Sequence, residues 1–466
     1  MTSSPVFMSI RALGDLIRTR QISPVELVRT FLARLDTLGP TYNAVVTITR
    51  DLALEQARAA EKDIAAGQYK GPLHGIPYGA KDLLATGGGI PTTWGAAPFR
   101  DRQFGYDAAV IRKLTEAGAV LVAKLAMVEL AGGMGYRQPN ASCTGPGVNP
   151  WDTTRWSGGS SSGSGSAVCA GLVPFAIGSE TWGSILGPSN HCGVAGLRPT
   201  FGRVSRHGAM VLSWSLDKIG PLCLTPDDCG LVLETIAGPD PSDPSTTDRA
   251  FRYEPNPPKR RFRFGALRDV AAGADAATRK NFDAALKTLE EIASIEEVQI
   301  PALPYEEITR TILFGELASA FEDLIESGQI AGLTAPEDRY TPYSRVGVLA
   351  RDYIRALRLR GIVATEIDRA MRKFDALLGP SRPFSSTKLG EEFPSAIRGG
   401  KDIMGAIGNA AGLPAISVPD GFTEDGVPTG IQFMGRAYDE NTIIAAASSY
   451  QTLTDWHLRH PPGTLP

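Results

Sequence analysis

The sequence is short of histidine and cysteine, and no apolar run in it is long. Its five histidines, His74, His191, His207, His457 and His460, are scattered over 466 residues. That leaves little material for a Ser-His-Asp triad. No G-x-S-x-G followed by an acid and a histidine in hydrolase order is present, and Gly163-Ser-Gly-Ser166 is low-complexity sequence. The five cysteines, Cys143, Cys169, Cys192, Cys223 and Cys229, are odd in number and have apolar neighbours. They fit reduced, mostly buried thiols rather than a disulfide framework. The only short Cys/His spacing is His191-Cys192, and adjacent residues make poor joint ligands, so no metal site is expected. No apolar run approaches the roughly 18 residues that span a bilayer. Met1-Thr-Ser-Ser-Pro5 lacks a basic segment leading into an apolar one, so no secretory signal is expected. A net charge of −3 offers no electrostatic argument for nucleic acid or membrane as a partner. These absences point to a cytoplasmic protein.

What is present is ordinary globular composition, 42% hydrophobic and 21% charged. The length would allow two or three domains, yet no repeat and no sharp break divides the chain. It opens with helices. Apolar residues recur at helical spacing from Ser9 to Arg18. Ser23 is a candidate N-cap, with Pro24 at the first helical position and Glu26 at the third. A further helix is expected from about Asp51 to Ala66. An amphipathic helix over 107–118 leading into a buried strand over 119–124 speaks for an α/β layered core. Thr225 to Gly238 reads as a capped helix, and the proline-rich stretch 239–258 as a surface connection. Phe262 to Leu267 resumes as a strand, with a helix from about Ala276 to Ile292. Residues 305–375 read as mostly helical, with Thr334 to Ser344 as a polar, proline-containing loop. Two short strands near 412–419 and 430–435 are expected to return to the first sheet.

Two stretches carry chemistry. In Gly71-Pro-Leu-His-Gly-Ile-Pro-Tyr-Gly-Ala-Lys-Asp82, Lys81 follows an apolar half. It is either a lysine snorkelling from a strand end or a buried one whose pKa is lowered enough to act as a base. Ser157 to Ser166 contains only serine and glycine, the composition of a flexible linker. Unlike a linker it runs straight into apolar Ala167-Val-Cys-Ala-Gly-Leu-Val173, fit for a buried helix. A second small-residue turn, Thr181-Trp-Gly-Ser184, follows. Glycine-rich backbone at a helix start offers unpaired N–H groups to negative charge. Two serine-bearing turns flanking one buried segment mark a candidate active site.

On these residues the chain resembles the amidase signature family, the Ser-cisSer-Lys hydrolases. The matching blocks are G-P-L-H-G-I-P-x-x-x-K-D at 71–82, G-G-S-S-S-G at 158–163 and [DE]-T-x-G-S-I at 180–185. They continue through G-V-x-G-L-[KR]-P-T at 193–200, S-L-D-x-I-G-P at 215–221 and N-x-A-G-L-P-A-I-S-V-P at 409–419. The resemblance implies one α/β domain, a large mixed sheet surrounded by helices. Within it, residues 1–66 would be N-terminal helices, 67–238 the signature core and 239–390 a variable, mostly helical region. Residues 391–466 would return to the sheet. It further implies C–N hydrolysis without metal or organic cofactor. Its motif puts the nucleophile at Ser184, a bridging serine with a cis peptide at Ser160, and the base at Lys81. The oxyanion-hole positions fall on the backbone of Thr181, Trp182, Gly183 and Ser184. Substrate-lining positions fall on Gly132, Gly133, Met134 and Gly135, with Trp182 beside the nucleophile.

The chemistry needs these residue types. A free lysine, with a pKa near ~10.4, is protonated at neutral pH, and burial disfavours the ammonium. Ser160 can relay a proton because a hydroxyl both donates and accepts. Backbone donors at an oxyanion are worth about 3 kcal/mol each. The chain departs from the family's pattern in having Trp182 where glycine is common and Leu186 where arginine is common. The second change is expected to leave Glu180 without that charge partner. With Trp182, Leu186 and Met134 nearby and no arginine or acidic pair in the local sequence, the expected substrate is a neutral, apolar or aryl amide. A carbamate or ester cleaved by the same triad is the alternative, and a non-hydrolytic amidotransferase-type subunit the more distant one. The expected partners are such a small molecule and water, with the chain a monomer or homodimer.

Overall fold

Strand-forming segments from residue 45 to residue 434 converge on one sheet. The computed structural model describes residues 4–345, 347–394 and 402–465. In chain order the strands are β1 (Val45–Ile48), β2 (Pro77–Lys81), β3 (Val120–Leu125), β4 (Val148–Asn149), β5 (Asp152–Trp156) and β6 (Phe175–Glu180). They continue with β7 (Ala195–Arg198), β8 (Lys218–Cys223), β9 (Phe262–Ala266), β10 (Ala293–Glu297), β11 (Ala376–Pro380), β12 (Ala415–Phe422) and β13 (Pro428–Met434). Eleven form one mixed sheet in the order β1-β3-β2-β6-β8-β7-β12-β13-β11-β9-β10, while β4 and β5 pair separately. Helices surround the sheet, giving the expected single-domain α/β fold. The strands expected near 412–419 and 430–435 are β12 and β13, and β12 joins the first sheet by pairing antiparallel with β7.

The pairing that matters most is parallel β2 beside parallel β6, with Ala80 opposite Ile177. Both strands are buried along their whole length, as parallel strands covered on both faces must be. Their C-terminal ends deliver Lys81 and Glu180 to one edge of the sheet, where ligands gather in α/β folds. Tyr78 on β2 stacks on Phe175 of β6 at 5.3 Å, which helps to fix this register.

Local signals placed most of the helices. Ser23 and Glu26 form the reciprocal capping box of Pro24–Leu38, and Thr225 caps Pro226–Ile236. Two expectations are corrected. The serine-glycine run is not a loop leading to a helix; from Ser162 it is the helix, Ser162–Cys169, wholly buried. Its hydroxyls donate to carbonyls of other elements, Ser164 to Ile177 at 3.2 Å and Ser166 to Val148 at 2.7 Å. Gly163 lets it pass so near the chain that a Cβ there would lie 2.4 Å from the Ala44 carbonyl oxygen. The stretch 334–344 is likewise helical, Pro336–Arg345, with Glu337 and Asp338 in its first turn and Pro342 inside. Proline at the first position and acids in the first turn are helix-start signals, and they outweigh the polar composition. No helix among the described residues is long and apolar enough to cross a membrane.

Candidate active site

Lys81 ends β2 with its side chain fully buried. Its Nζ donates to Ser160 Oγ at 2.8 Å and to Ser179 Oγ at 2.9 Å. Burial lowers its pKa to about 7, against the opposing pull of the Asp217 and Glu180 charges. Lys81 is thus a buried lysine whose ammonium is disfavoured, not one snorkelling from a strand end. Gly159-Ser160 is a cis peptide, the bond expected at that serine.

Ser184 lies on the turn between β6 and the helix Leu186–Cys192, 7% exposed. Its Oγ makes no hydrogen bond to a described residue, so Lys81 and Ser160 are hydrogen-bonded to each other and Ser160 and Ser184 are not. The two serine turns are tied by backbone instead, Ser161 N donating to Ser184 O at 3.3 Å. The N–H groups of Trp182, Gly183 and Ser184 have no acceptor among the described residues, a row of amide donors beside the hydroxyl. Gly183 holds a φ of +81° there, a conformation that suits glycine. Thr181 is fixed from below, its hydroxyl donating to Asp217 Oδ1 at 2.5 Å. Asp217 Oδ2 accepts from Leu212 N and Ser213 N at 2.8 and 3.0 Å.

Glu180 does not lack a charge partner. Its Oε1 accepts from Arg198 Nη1 at 2.8 Å and Asn409 Nδ2 at 3.1 Å. Its Oε2 accepts from Ile185 N and Leu186 N at 2.9 and 3.0 Å, holding the start of the helix after Ser184. Burial pushes its pKa up, but Arg198 and the backbone donors outweigh that and hold it at about 2. Arg198 belongs to the G-L-[KR]-P block, so the compensating cation comes from β7 rather than from position 186.

A cavity of about 320 Å³ opens on Ser184. Gly132, Gly133 and Trp182 line it as expected, whereas Met134 is fully buried in the core and neither it nor Gly135 is among the lining residues. Aromatic walls come from Trp156, Phe384 and Phe393, and the helix Tyr305–Ala320 contributes Glu306, Arg310 and Leu313. An arginine–carboxylate pair, absent from the sequence beside the serines, also lines the cavity. Arg382 Nη1 donates to Asp402 Oδ2 at 2.5 Å, and Trp182 Nε1 donates to the same oxygen at 3.0 Å. Arg382 and Asp402 lie some two hundred positions from Ser184 in sequence, so no local pattern could announce them. Ser179 was missed as well; only the β2–β6 register brings it to Lys81. His191 lines the cavity, but burial, and then the Arg382 charge, push its pKa down to about 4. Its Nε2 lies 3.3 Å from the Phe384 carbonyl oxygen, not within a triad.

The amidase family model matches residues 26–444. A glutamyl-tRNA(Gln) amidotransferase subunit of Thioalkalivibrio sulfidiphilus is 34% identical, the match covering 98% of this chain and 99% of its own. A Mycobacterium bovis protein carrying an amidase name is 37% identical over 98% of this chain and 96% of its own. Among solved structures, the native peptide amidase of Stenotrophomonas maltophilia superposes with a TM-score of 0.86 at 30% identity, covering 98% of both chains. With the family match spanning nearly the whole length and the fold shared with solved amidases, this chain belongs to the amidase signature family, whose enzymes act on amide substrates.

Proposed function

We propose that the protein is a serine amidohydrolase that cleaves C–N bonds through an acyl-enzyme formed on Ser184. The observation that carries this reading is the 2.8 Å contact between a buried, neutralisable Lys81 and Ser160, beside a cavity that holds an unengaged Ser184 hydroxyl. Ser184 Oγ attacks the carbonyl carbon while its proton passes to Ser160 and the Ser160 proton passes to Lys81 Nζ. The carbonyl oxygen, now anionic, is met by the free amides of the 181–184 turn, positioned before charge develops. Lys81 returns its proton through Ser160 to the departing nitrogen, and the C–N bond breaks. Water entering by the same relay then releases the acid. The open Ser160–Ser184 contact is compatible with this, because catalytic hydrogen bonds often shorten only with substrate bound. Trp182, Trp156 and Phe393 support an aryl group on the substrate. Carbamates and esters present the same carbonyl and are the natural side substrates.

The names of several relatives favour a second reading, membership of a multi-chain amidotransferase assembly. Assay of the purified chain alone separates the two. Release of acid and amine from an aryl amide, with a fluorophosphonate adduct on Ser184, is expected for the hydrolase. Ser184→Ala and Lys81→Ala should each lower turnover by roughly 10³-fold or more in folded protein. Near-normal turnover by Ser184→Ala would sink the assignment.

A further inference from the structure

Trp182 replaces the glycine common at its position, and its indole is not a free apolar wall. It is pinned by the hydrogen bond from Nε1 to Asp402 Oδ2. That oxygen also takes Arg382 Nη1, while Asp402 Oδ1 accepts from Gly405 N at 3.1 Å. Both carboxylate oxygens are therefore engaged, and Asp402 has little acceptor capacity left for a ligand. Glu306 Oε1 is engaged too, accepting from Asp402 N at 2.8 Å.

The donors are in the opposite condition. Among the described residues Arg382 donates to Asp402 alone, and its side chain is 29% exposed against 14% for Asp402. The guanidinium lies over the nucleophile turn, since a Cβ on Gly183 would meet Arg382 Nη1 at 2.5 Å. Arg310, exposed, stands with its guanidinium carbon 6.0 Å from the Trp182 ring centroid and donates to no described residue. Arg382, which shares the Asp402 oxygen with the indole N–H, and Arg310, beside the indole ring, thus both line the Trp182 side of the cavity that holds Ser184. Asp402 is consumed in placing Arg382, and Glu306 Oε1 in accepting from Asp402 N, while no described carboxylate pairs with Arg310. The Arg382 charge is felt inside the cavity, where it adds to burial in disfavouring a cation on His191.

Planar N–H forks matched to carboxylate geometry and left unspent, one of them anchored by Asp402, are the chemistry of carboxylate recognition. We propose that the Trp182 wall is a carboxylate-reading subsite, and that the amides this site takes carry a free carboxylate held by Arg382 and Arg310. The substrate class rests on the amidohydrolase reading above, but the recognition itself can be measured without turnover.

The test uses two isosteric pairs, each differing by a carboxylate against an isopropyl group. Succinyl para-nitroanilide and isocaproyl para-nitroanilide carry the difference on the acyl side. Para-acetamidobenzoate and para-isopropylacetanilide carry it on the amine side. Binding is read by calorimetry with full-length Ser184→Ala, and turnover of the same compounds with the wild-type enzyme. In at least one pair the carboxylate-bearing member should bind about tenfold or more tightly, with a preference that shrinks as salt rises. In the Ser184→Ala background, Arg310→Met should cut that preference, and Arg382→Met should reverse it by leaving Asp402 without its cation. Arg310 is exposed, so its substitution tests the idea even if Arg382→Met fails to fold. Equal or weaker binding of the carboxylate-bearing member in both pairs overturns the proposal. Intact preference with no wild-type turnover of any of the four compounds would count against the hydrolase reading and leave the subsite standing.

Discussion

Glu180 and Arg198 meet at 2.8 Å with both side chains fully buried, directly beneath the turn that carries Ser184. The carboxylate joins three elements: Arg198 of β7, Asn409, and the first amides of the helix after Ser184. The position of Ser184 therefore depends on a charge pair that no solvent screens.

Breaking such a pair from one side leaves an uncompensated buried charge. Glu180→Gln and Arg198→Met should each cost about 3–5 kcal/mol, read by urea denaturation. The pH dependence follows from the direction of the Glu180 shift. Its pKa is depressed from 4.5 to about 2 on folding. Its stabilisation is thus complete above the unfolded value and lost as pH falls toward the folded one. Wild-type stability should decline between about pH 4.5 and 2 with a component that Glu180→Gln lacks. An identical acid slope in the two proteins would mean the pair contributes nothing through charge.

How far the sequence revealed this site follows from distance along the chain. Lys81, Ser160 and Ser184 sit in glycine-bearing blocks whose residue order is itself informative, and local signals such as the Ser23–Glu26 box marked the helices. The Arg198 partner of Glu180 was inside a recognised block, but which side chain faces Glu180 is set by the order of β6, β8 and β7. Arg382 and Asp402 carry no motif, and only packing brings them to Trp182. The serine-glycine run misled for a physical reason. Its low helix propensity is overridden by burial against Ala44 and Ala126, which admits no larger residue.

That last point gives two substitutions of opposite sign. A Cβ on Gly163 would lie 2.4 Å from Ala44 O and 2.5 Å from Ala126 N, backbone atoms that cannot rotate away. Gly163→Ala should destabilise by about 1–3 kcal/mol or more. Gly361 lies exposed within the helix Ala350–Met371, and a Cβ there meets nothing within 4 Å. Gly361→Ala should therefore raise stability by about 0.5–1 kcal/mol through helix propensity alone. Thermal denaturation of both variants checks the pair, and equal shifts would refute the packing argument.

Ser179 and Trp182 test positioning rather than chemistry. Ser179→Ala removes one of the two hydroxyls that hold Lys81 Nζ, leaving Ser160. kcat should fall about tenfold, with little change in KM, because Lys81 is loosened but the cavity is untouched. Trp182→Gly removes one of the donors to Asp402 and an aromatic wall, so kcat/KM for aryl amides should fall more than for small aliphatic amides. An unchanged aryl-to-aliphatic ratio would show that the indole does not select substrate.

The pH–rate profile addresses the proposed role of Lys81 directly. With a pKa of about 7, Lys81 is an ammonium in acid and a free amine above neutrality. Only the amine can take the Ser160 proton, so kcat/KM should fall about tenfold per pH unit below that value and level off above it. Asp217 exerts the largest charge effect opposing the shift of the Lys81 pKa. Its charge favours the ammonium and so raises the Lys81 pKa against the lowering effect of burial. Removing that charge with Asp217→Asn should move the acid limb to lower pH. The same substitution loosens Thr181, because Asp217 accepts its hydroxyl along with two backbone amides, so the plateau rate should also drop. A purely structural role for Asp217 would lower the plateau and leave the limb in place. A limb that lies near pH 10 in the wild type would mean that Lys81 is not desolvated in solution, and the proton relay would have to run through another group.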